Sequence, residues 1–219
     1  MLIIGLTGGV ASGKSFVASQ FRKLKIPVFD ADLEVHKLLA SDQEIFLQVQ
    51  QNFPNAVVNG KIDRKILGDE VLGNKQKLQN LEKIIYPKLR KKENLFIKNC
   101  RSRNQKIVVL NVPLLFEKGD QKNSSYKKCD KTITTIVSPS IQFYRFKSRF
   151  KSLEDNKDLV QQKFKNITNR QINNSHRKNQ ADFIIYTGLN KGFTVKQVKN
   201  LLFSRINVNK PRSKLSVTK

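Results

Sequence analysis

Lys14 and Ser15 close the run Gly8-Gly9-Val10-Ala11-Ser12-Gly13-Lys14-Ser15, which carries the specified residue at every position of the G-x-x-x-x-G-K-[ST] pattern. That spacing is suited to gripping a polyphosphate. Gly8 and Gly13 let the backbone curl so that successive N–H groups turn inward, toward the point at which the positive end of a following helix is also aimed. In such a loop Lys14 reaches the β/γ-phosphates and the Ser15 hydroxyl binds Mg²⁺. Gly9, Ala11, Ser12, Gly13 and Phe16 complete the set expected around the nucleotide.

Other groups could do chemistry beside this loop. Asp30 and Asp32 follow the apolar run Ile26-Pro27-Val28-Phe29. Asp32 reads either as a base that accepts a proton from an attacking hydroxyl or as the N-cap of the helix that Leu33, Val35, Leu38 and Leu39 outline. Arg145 and Arg149, four residues apart, share one face of a helix opened by Pro139. They read either as a pair that grips phosphate oxygens or as a solvated face. Asn111 ends the run Ile107-Val108-Val109-Leu110, where an acid that holds Mg²⁺ through water is the usual residue. Glu117, a little further on, is open to a metal role or to a plain surface role.

The elements that must position these groups follow from apolar spacing. Leu2-Ile3-Ile4-Gly5-Leu6 predicts a buried strand, and Phe16, Val17, Ala18, Phe21 and Leu24 predict the helix after the loop. Further strands are expected at 26–29, 107–110, 132–137 and 183–186. The pattern predicts an α/β fold, a parallel sheet flanked by helices, with Asp30 and Asp32 at a C-terminal strand end facing the phosphate loop. From Asp42 to Arg103 the pattern is mostly helical, with a turn at Asn59-Gly60. That stretch is too long for one crossover, and it reads as a helical substrate-binding insertion. Residues 151–157 read as a mobile lid or an ordinary loop, and a further helix is expected to carry Gln171, Arg177 and Lys178.

The 219 residues carry 42 Lys and Arg against 17 Asp and Glu, a formal charge of +25. From Leu159 to Lys219 the single acid is Asp182. Such a surface attracts polyanions, but no basic-aromatic array accompanies it, so steering of small anions or a solvated basic skin ranks above specific nucleic-acid binding. The first apolar run is broken by Gly5 and Gly8-Gly9, and neither a secretory signal nor a membrane span is expected. Cys100 and Cys129, without a C-x-x-C pair, are expected to be buried thiols of a cytoplasmic protein. Composition leaves the oligomeric state open.

Taken together, the segments resemble the dephospho-coenzyme A kinase family from Leu2 to about Phe203. The most specific pieces are 6–15 (LTGGVASGKS), Val28-Phe29-Asp30-Ala31-Asp32 and Pro113-Leu114-Leu115-Phe116-Glu117. Weaker matches lie at 60–64, 81–87, 142–145, Gln171 and 181–185. The resemblance implies an ATP- and Mg²⁺-dependent kinase acting on dephospho-coenzyme A. Its parts would be a nucleotide core at about 1–40, 104–140 and 180–205, a helical coenzyme A region at 41–103, a lid at 141–179 and a basic, disordered tail at 206–219. Asp32, Lys14 and Arg145 would be catalytic and Arg149 would bind nucleotide. Thr7, Asp32, His36, Arg64, Tyr86, Pro113 and Leu114 would bind the substrate. The chain departs from the family pattern at Phe16, where Thr is usual, at Tyr86 for His, at Asn111 for Asp and at Thr187 for Asn. The rival readings are another small-molecule kinase on the same fold and a basic nucleic-acid-binding NTPase.

Overall fold

The computed structural model describes residues 1–117, 125–149, 157–169 and 171–205. The residues read as a lid or loop at 151–156 and the tail at 206–219 lie outside these. The chain forms two compact units, one of Met1–Phe29 with the described residues from Cys100 onward, the other of Asp30–Asn99.

The first unit is built on a five-stranded sheet of β1 (Leu2–Gly8), β2 (Val28–Asp30), β5 (Ile107–Asn111), β6 (Lys131–Ile136) and β7 (Phe183–Tyr186), in the order β2-β5-β1-β6-β7. β1 pairs in parallel with β5 and β6, and β6 with β7. Every residue of β1 is buried, as an apolar strand covered on both faces must be. Over one face, α1 (Lys14–Lys23) and α10 (Lys191–Asn200) pack Val17, Ala18, Phe21 and Val198 onto Ile4, Leu6, Val109, Ile133 and Ile185. Carboxylates pin the strand starts: Asp130 accepts from the Ile3 N–H at 2.8 Å, and Asp182 from the Thr132 N–H and hydroxyl at 2.8 and 2.7 Å. The other helices of this unit are α6 (Ser125–Lys128), α7 (Pro139–Lys147), α8 (Lys157–Thr168) and α9 (Asn174–Gln180). α9 begins only at Asn174, so Gln171 lies before that helix and not on it.

The second unit holds α2 (Ala31–Ser41), α3 (Gln43–Asn52), the short strands β3 (Val57–Val58) and β4 (Lys61–Ile62), α4 (Arg64–Val71) and most of α5 (Lys75–Ser102). Leu38, Ile45, Val49, Phe53, Leu67, Val71, Leu81 and Ile85 form its own apolar core. Asn59 and Gly60, both at positive φ, make the tight β3–β4 turn in the manner of a primed hairpin turn. α5 runs through Pro87 without ending. Among the described residues no helix is long and apolar enough to cross a membrane.

Candidate active site

β1 delivers the chain into the phosphate loop at the C-terminal edge of the sheet. A side chain on Gly8 would put its Cβ 2.0 Å from Thr135 Oγ1, so only glycine fits there. Ala11 (φ 54°) and Gly13 (φ 87°) take left-handed backbone, and Gly13 accepts the N–H groups of Phe16 and Val17 to open α1. The first N–H groups of a helix have no acceptor within it, which makes this end of α1 suited to an anion.

Side chains from distant parts of the sequence hold the loop in shape. Gln142 Nε2 donates to the Val10 carbonyl at 2.7 Å, and the Val10 N–H donates to Gln171 Oε1 at 2.9 Å. Ser12 and Thr135 share a hydroxyl–hydroxyl bond of 2.6 Å. The Thr187 hydroxyl donates to the Ser12 carbonyl. Val10 and Ala11 also pack against Phe146, Val160 and Phe164 of α7 and α8. None of Gln142, Gln171, Thr135 and Thr187 announces this role by its type. Gln142 stood in the sequence within a family-like match, Gln171 as such a match and as a residue of an expected helix, and Thr187 only as a departure.

Lys14 Nζ donates to Asn111 Oδ1 at 3.0 Å. Asn111 is buried opposite Leu6 in the β1–β5 register, so the amide does occupy the strand end expected from the sequence. Thr7 is fully buried and its hydroxyl donates to the Pro113 carbonyl at 2.8 Å, while Leu114 next to it is exposed. Glu117 is neither a surface residue nor part of an acidic cluster. Its Oε1 lies 2.7 Å from Nη2 of Arg177, which is wholly buried. Among the described residues no group of three or more His, Cys, Asp or Glu is arranged to hold a metal.

A cavity of about 370 Å³ opens beside the loop, lined among others by Ala11, Gly13, Phe16, Arg145, Arg149 and Thr187. Arg145 Nη2 donates to the Thr187 carbonyl at 2.6 Å. Arg149 falls two residues past the end of α7, so the two arginines do not share a helix face as their spacing suggested. The turn at Ser148 nevertheless brings both to the same cavity. A separate cavity of about 250 Å³, between α1 and α10, shares none of these residues.

In the second unit the cap of α2 is Asp30, whose carboxylate accepts from the Leu33 N–H at 3.3 Å. Asp32 is therefore not the N-cap; it stands exposed in the first turn, with His36 exposed one turn further on. Arg64 is the exposed first residue of α4, which Asp63 caps. Tyr86 donates its hydroxyl to Glu82 Oε1 at 3.1 Å, with the Arg90 guanidinium 6.0 Å from the ring centre. Although part of Tyr86 stays open to solvent, desolvation of the phenol, and then the Glu82 charge, hold it above its ordinary pKa. Lys88 is tied to Asp42 and Glu44 at 3.3 and 2.7 Å.

A family profile described as dephospho-CoA kinase matches residues 2–191. The dephospho-CoA kinase of Gluconobacter oxydans is 37% identical over 207 residues, covering 92% of this chain and 96% of that one. Among solved structures, TT1252 from Thermus thermophilus superposes with a TM-score of 0.70 at 23% identity, covering 92% of this chain and 96% of that one. Dephospho-CoA kinase from Campylobacter jejuni gives 0.57 at 21%, covering 91% and 95%. These two likenesses bear on the fold alone. The profile match and the identity to the Gluconobacter enzyme go further: this chain belongs to the dephospho-CoA kinase family.

Proposed function

We propose that the protein transfers the γ-phosphoryl group of ATP to the ribose 3′-hydroxyl of dephospho-coenzyme A, giving coenzyme A and ADP, the last step of coenzyme A biosynthesis. The observation that carries this reading is a complete phosphate loop at the end of the central strand of a parallel sheet, in a chain of this family. Phosphoryl transfer asks for little covalent work from a protein and is catalysed by positioning and charge stabilisation. Lys14, held at the end of β5 by Asn111, and the cavity arginines Arg145 and Arg149 supply positive charge for the transferring oxygens. The loop fits a polyphosphate, since a side chain at Gly8 would collide with the loop's own braces and the curled backbone depends on left-handed Gly13.

Mg²⁺ fits as an ion carried in by the nucleotide. The hydroxyl of Ser15, exposed in the first turn of α1, is the hard oxygen ligand the ion favours. Asn111 replaces the usual acid with a neutral amide. When bound, the ion neutralises charge on the β- and γ-phosphates.

Asp32 takes the proton of the attacking hydroxyl; its place just past β2, with capping left to Asp30, supports that role. His36, Arg64, Tyr86, Pro113 and Leu114 contribute to binding dephospho-coenzyme A; Thr7, expected among them, is fully buried and serves that binding by holding the Pro113 carbonyl. The compact unit Asp30–Asn99, with its own core, supports a separate substrate-binding region at about 41–103. The stretch 141–179 serves as the lid, and the enzyme works in the cytoplasm.

A coupled ADP-release assay tests the proposal with dephospho-coenzyme A beside adenosine and pantothenate. Turnover is expected with dephospho-coenzyme A alone. Preferred turnover of adenosine or pantothenate would replace this substrate with another on the same fold.

A further inference from the structure

Glu117 closes the Pro113-Leu114-Leu115-Phe116-Glu117 segment, yet the reaction described above gives it nothing to do. Its surroundings are unusual for a residue that serves only stability. Glu117 Oε1 accepts from Arg177 Nη2 at 2.7 Å and from the Ile172 N–H at 3.3 Å, while Arg177 Nε donates to the Ile172 carbonyl at 3.1 Å. One residue, Ile172, is thus held at both its N–H and its carbonyl, which belong to consecutive peptide groups, by the two members of an ion pair. Among the described residues, Glu117 Oε2 and Arg177 Nη1 are buried and meet no hydrogen-bond partner. A buried pair that leaves two charged atoms unsatisfied is poorly arranged for stability, since desolvation offsets much of the Coulomb attraction. Burial also draws the Arg177 guanidinium below its ordinary pKa, with Glu117 opposing that shift.

The clamped residue lies next to Gln171. Gln171 Oε1 accepts the Val10 N–H at 2.9 Å, and Gln142 holds the other side of residue 10 through its carbonyl at 2.7 Å. A Cβ on Gly9 would lie 2.9 Å from Gln142 Nε2 and 3.5 Å from Gln171 Oε1, so the two amides are seated closely against the loop. The chain of contacts therefore runs from Glu117 and Arg177 through Ile172 and Gln171 to the backbone of the phosphate loop.

We propose that the Glu117–Arg177 pair is a positioning device for the phosphate loop, acting through Gln171 to hold the Val10 peptide in the orientation that binds nucleotide phosphates. Glu117 and Arg177 are positioning residues, not catalytic ones. The inference rests on the kinase reading for the turnover measurements and stands apart from it for nucleotide affinity.

A double-mutant cycle of Gln171→Ala, Glu117→Gln and the pair of changes tests it. Calorimetric titration with ADP gives nucleotide affinity, and steady-state assays give KM for ATP and for dephospho-coenzyme A; melting curves establish that each variant is folded at the assay temperature. Each single change is expected to weaken ADP binding and raise the KM for ATP about 5- to 10-fold, the worth of roughly one hydrogen bond, with the KM for dephospho-coenzyme A within about twofold. The double variant should be no weaker than the worse single variant, to within about twofold, because both changes break one path. If Glu117→Gln does not fold, Arg177→Lys, which keeps the charge but loses the planar fork, takes its place in the cycle. Multiplicative losses in the double variant, or unchanged ADP affinity in Gln171→Ala, would overturn the proposal. Absence of wild-type turnover with an intact cycle in ADP affinity would leave the proposal standing and remove only the substrate assignment.

Discussion

Replacing Gly13 with alanine probes the phosphate loop where its geometry is most constrained. Gly13 sits at φ 87°, and an L side chain in the left-handed region costs about 1–2 kcal/mol. The new Cβ would also stand 3.0 Å from Thr187 Cβ, 3.1 Å from its Oγ1 and 3.2 Å from its Cγ2. Thr187 has little room to retreat. Its N–H donates to the Ile136 carbonyl at 2.9 Å, its hydroxyl to the Ser12 carbonyl, and its own carbonyl accepts from Arg145 at 2.6 Å. Overpacking against a neighbour held in this way adds about 1–3 kcal/mol. The sum, about 2–5 kcal/mol, corresponds in a chain of this size to a fall of roughly 5–15 °C in thermal midpoint. Scanning calorimetry of Gly13→Ala measures the total. The same substitution made in a Thr187→Gly background removes the overlap and leaves the backbone cost, so the fall should shrink by about half. A shift below about 2 °C, or equal shifts in the two backgrounds, refutes the view that Thr187 braces the loop through Gly13.

Arg145→Ala should lower turnover and, because it deletes the donor to the Thr187 carbonyl, also lower stability by about 1 kcal/mol; an unchanged melting curve would show that this bond contributes nothing. Asp32→Asn should cut turnover by about 10²–10⁴-fold with little change in thermal midpoint, since Asp30 and not Asp32 caps α2; retained turnover removes the base role. Asp42 caps α3 through the Ile45 N–H, and this bond, ahead of Lys88 and outweighing partial burial, holds its carboxyl below the ordinary carboxylate value. Because the folded-state pKa is lowered, the contribution is present above the ordinary value and fades as pH falls through the folded one. Asp42→Ala should therefore cost about 1 kcal/mol in urea melts near neutral pH, and the difference from wild type should shrink steadily as the buffer is taken below the ordinary carboxylate value; a difference that does not change with pH would mean that the ionised form adds nothing.

The phosphate loop could be read from the sequence because its requirements are local. Two glycines, a lysine and a serine at fixed spacing state the backbone path and the ligand class without reference to any other residue, and Leu2–Leu6 states the strand that delivers them. The strand that ends in Asn111 was legible for the same reason: four apolar residues in a row need burial on both faces. The sequence was less decisive where local signals compete. Asp30 and Asp32 are equally good caps by type, and only the point at which β2 stops decides between them. Pro87 signals the end of a helix, yet α5 continues through it, its Leu81 and Ile85 sharing one core with Leu38 and Ile45. The β3–β4 hairpin has two residues a side, too few for an alternating pattern to register beyond its Asn59-Gly60 turn.

The braces of the loop were illegible for a different reason, and their chemistry explains why. Gln142, Gln171, Thr135 and Thr187 lie more than a hundred residues from the loop in sequence, and amides and hydroxyls of this kind occur throughout the chain. Acids would make the same hydrogen bonds and would be easier to notice, but a carboxylate against the Val10 or Ser12 peptide would set negative charge beside the seat of a polyphosphate. Neutral acceptors and donors hold the backbone without opposing the ligand. The ion pair that clamps Ile172 is placed one residue further back and carries equal and opposite charges, so its field at the loop is that of a dipole, not of a net charge. Lys14 is held in the same manner, by the Asn111 amide at the end of β5, so its charge is positioned there without an opposite charge from that side chain. With a formal charge of +25, the chain has no shortage of attraction for anions. What the loop needs from the rest of the fold is shape, and uncharged side chains supply it.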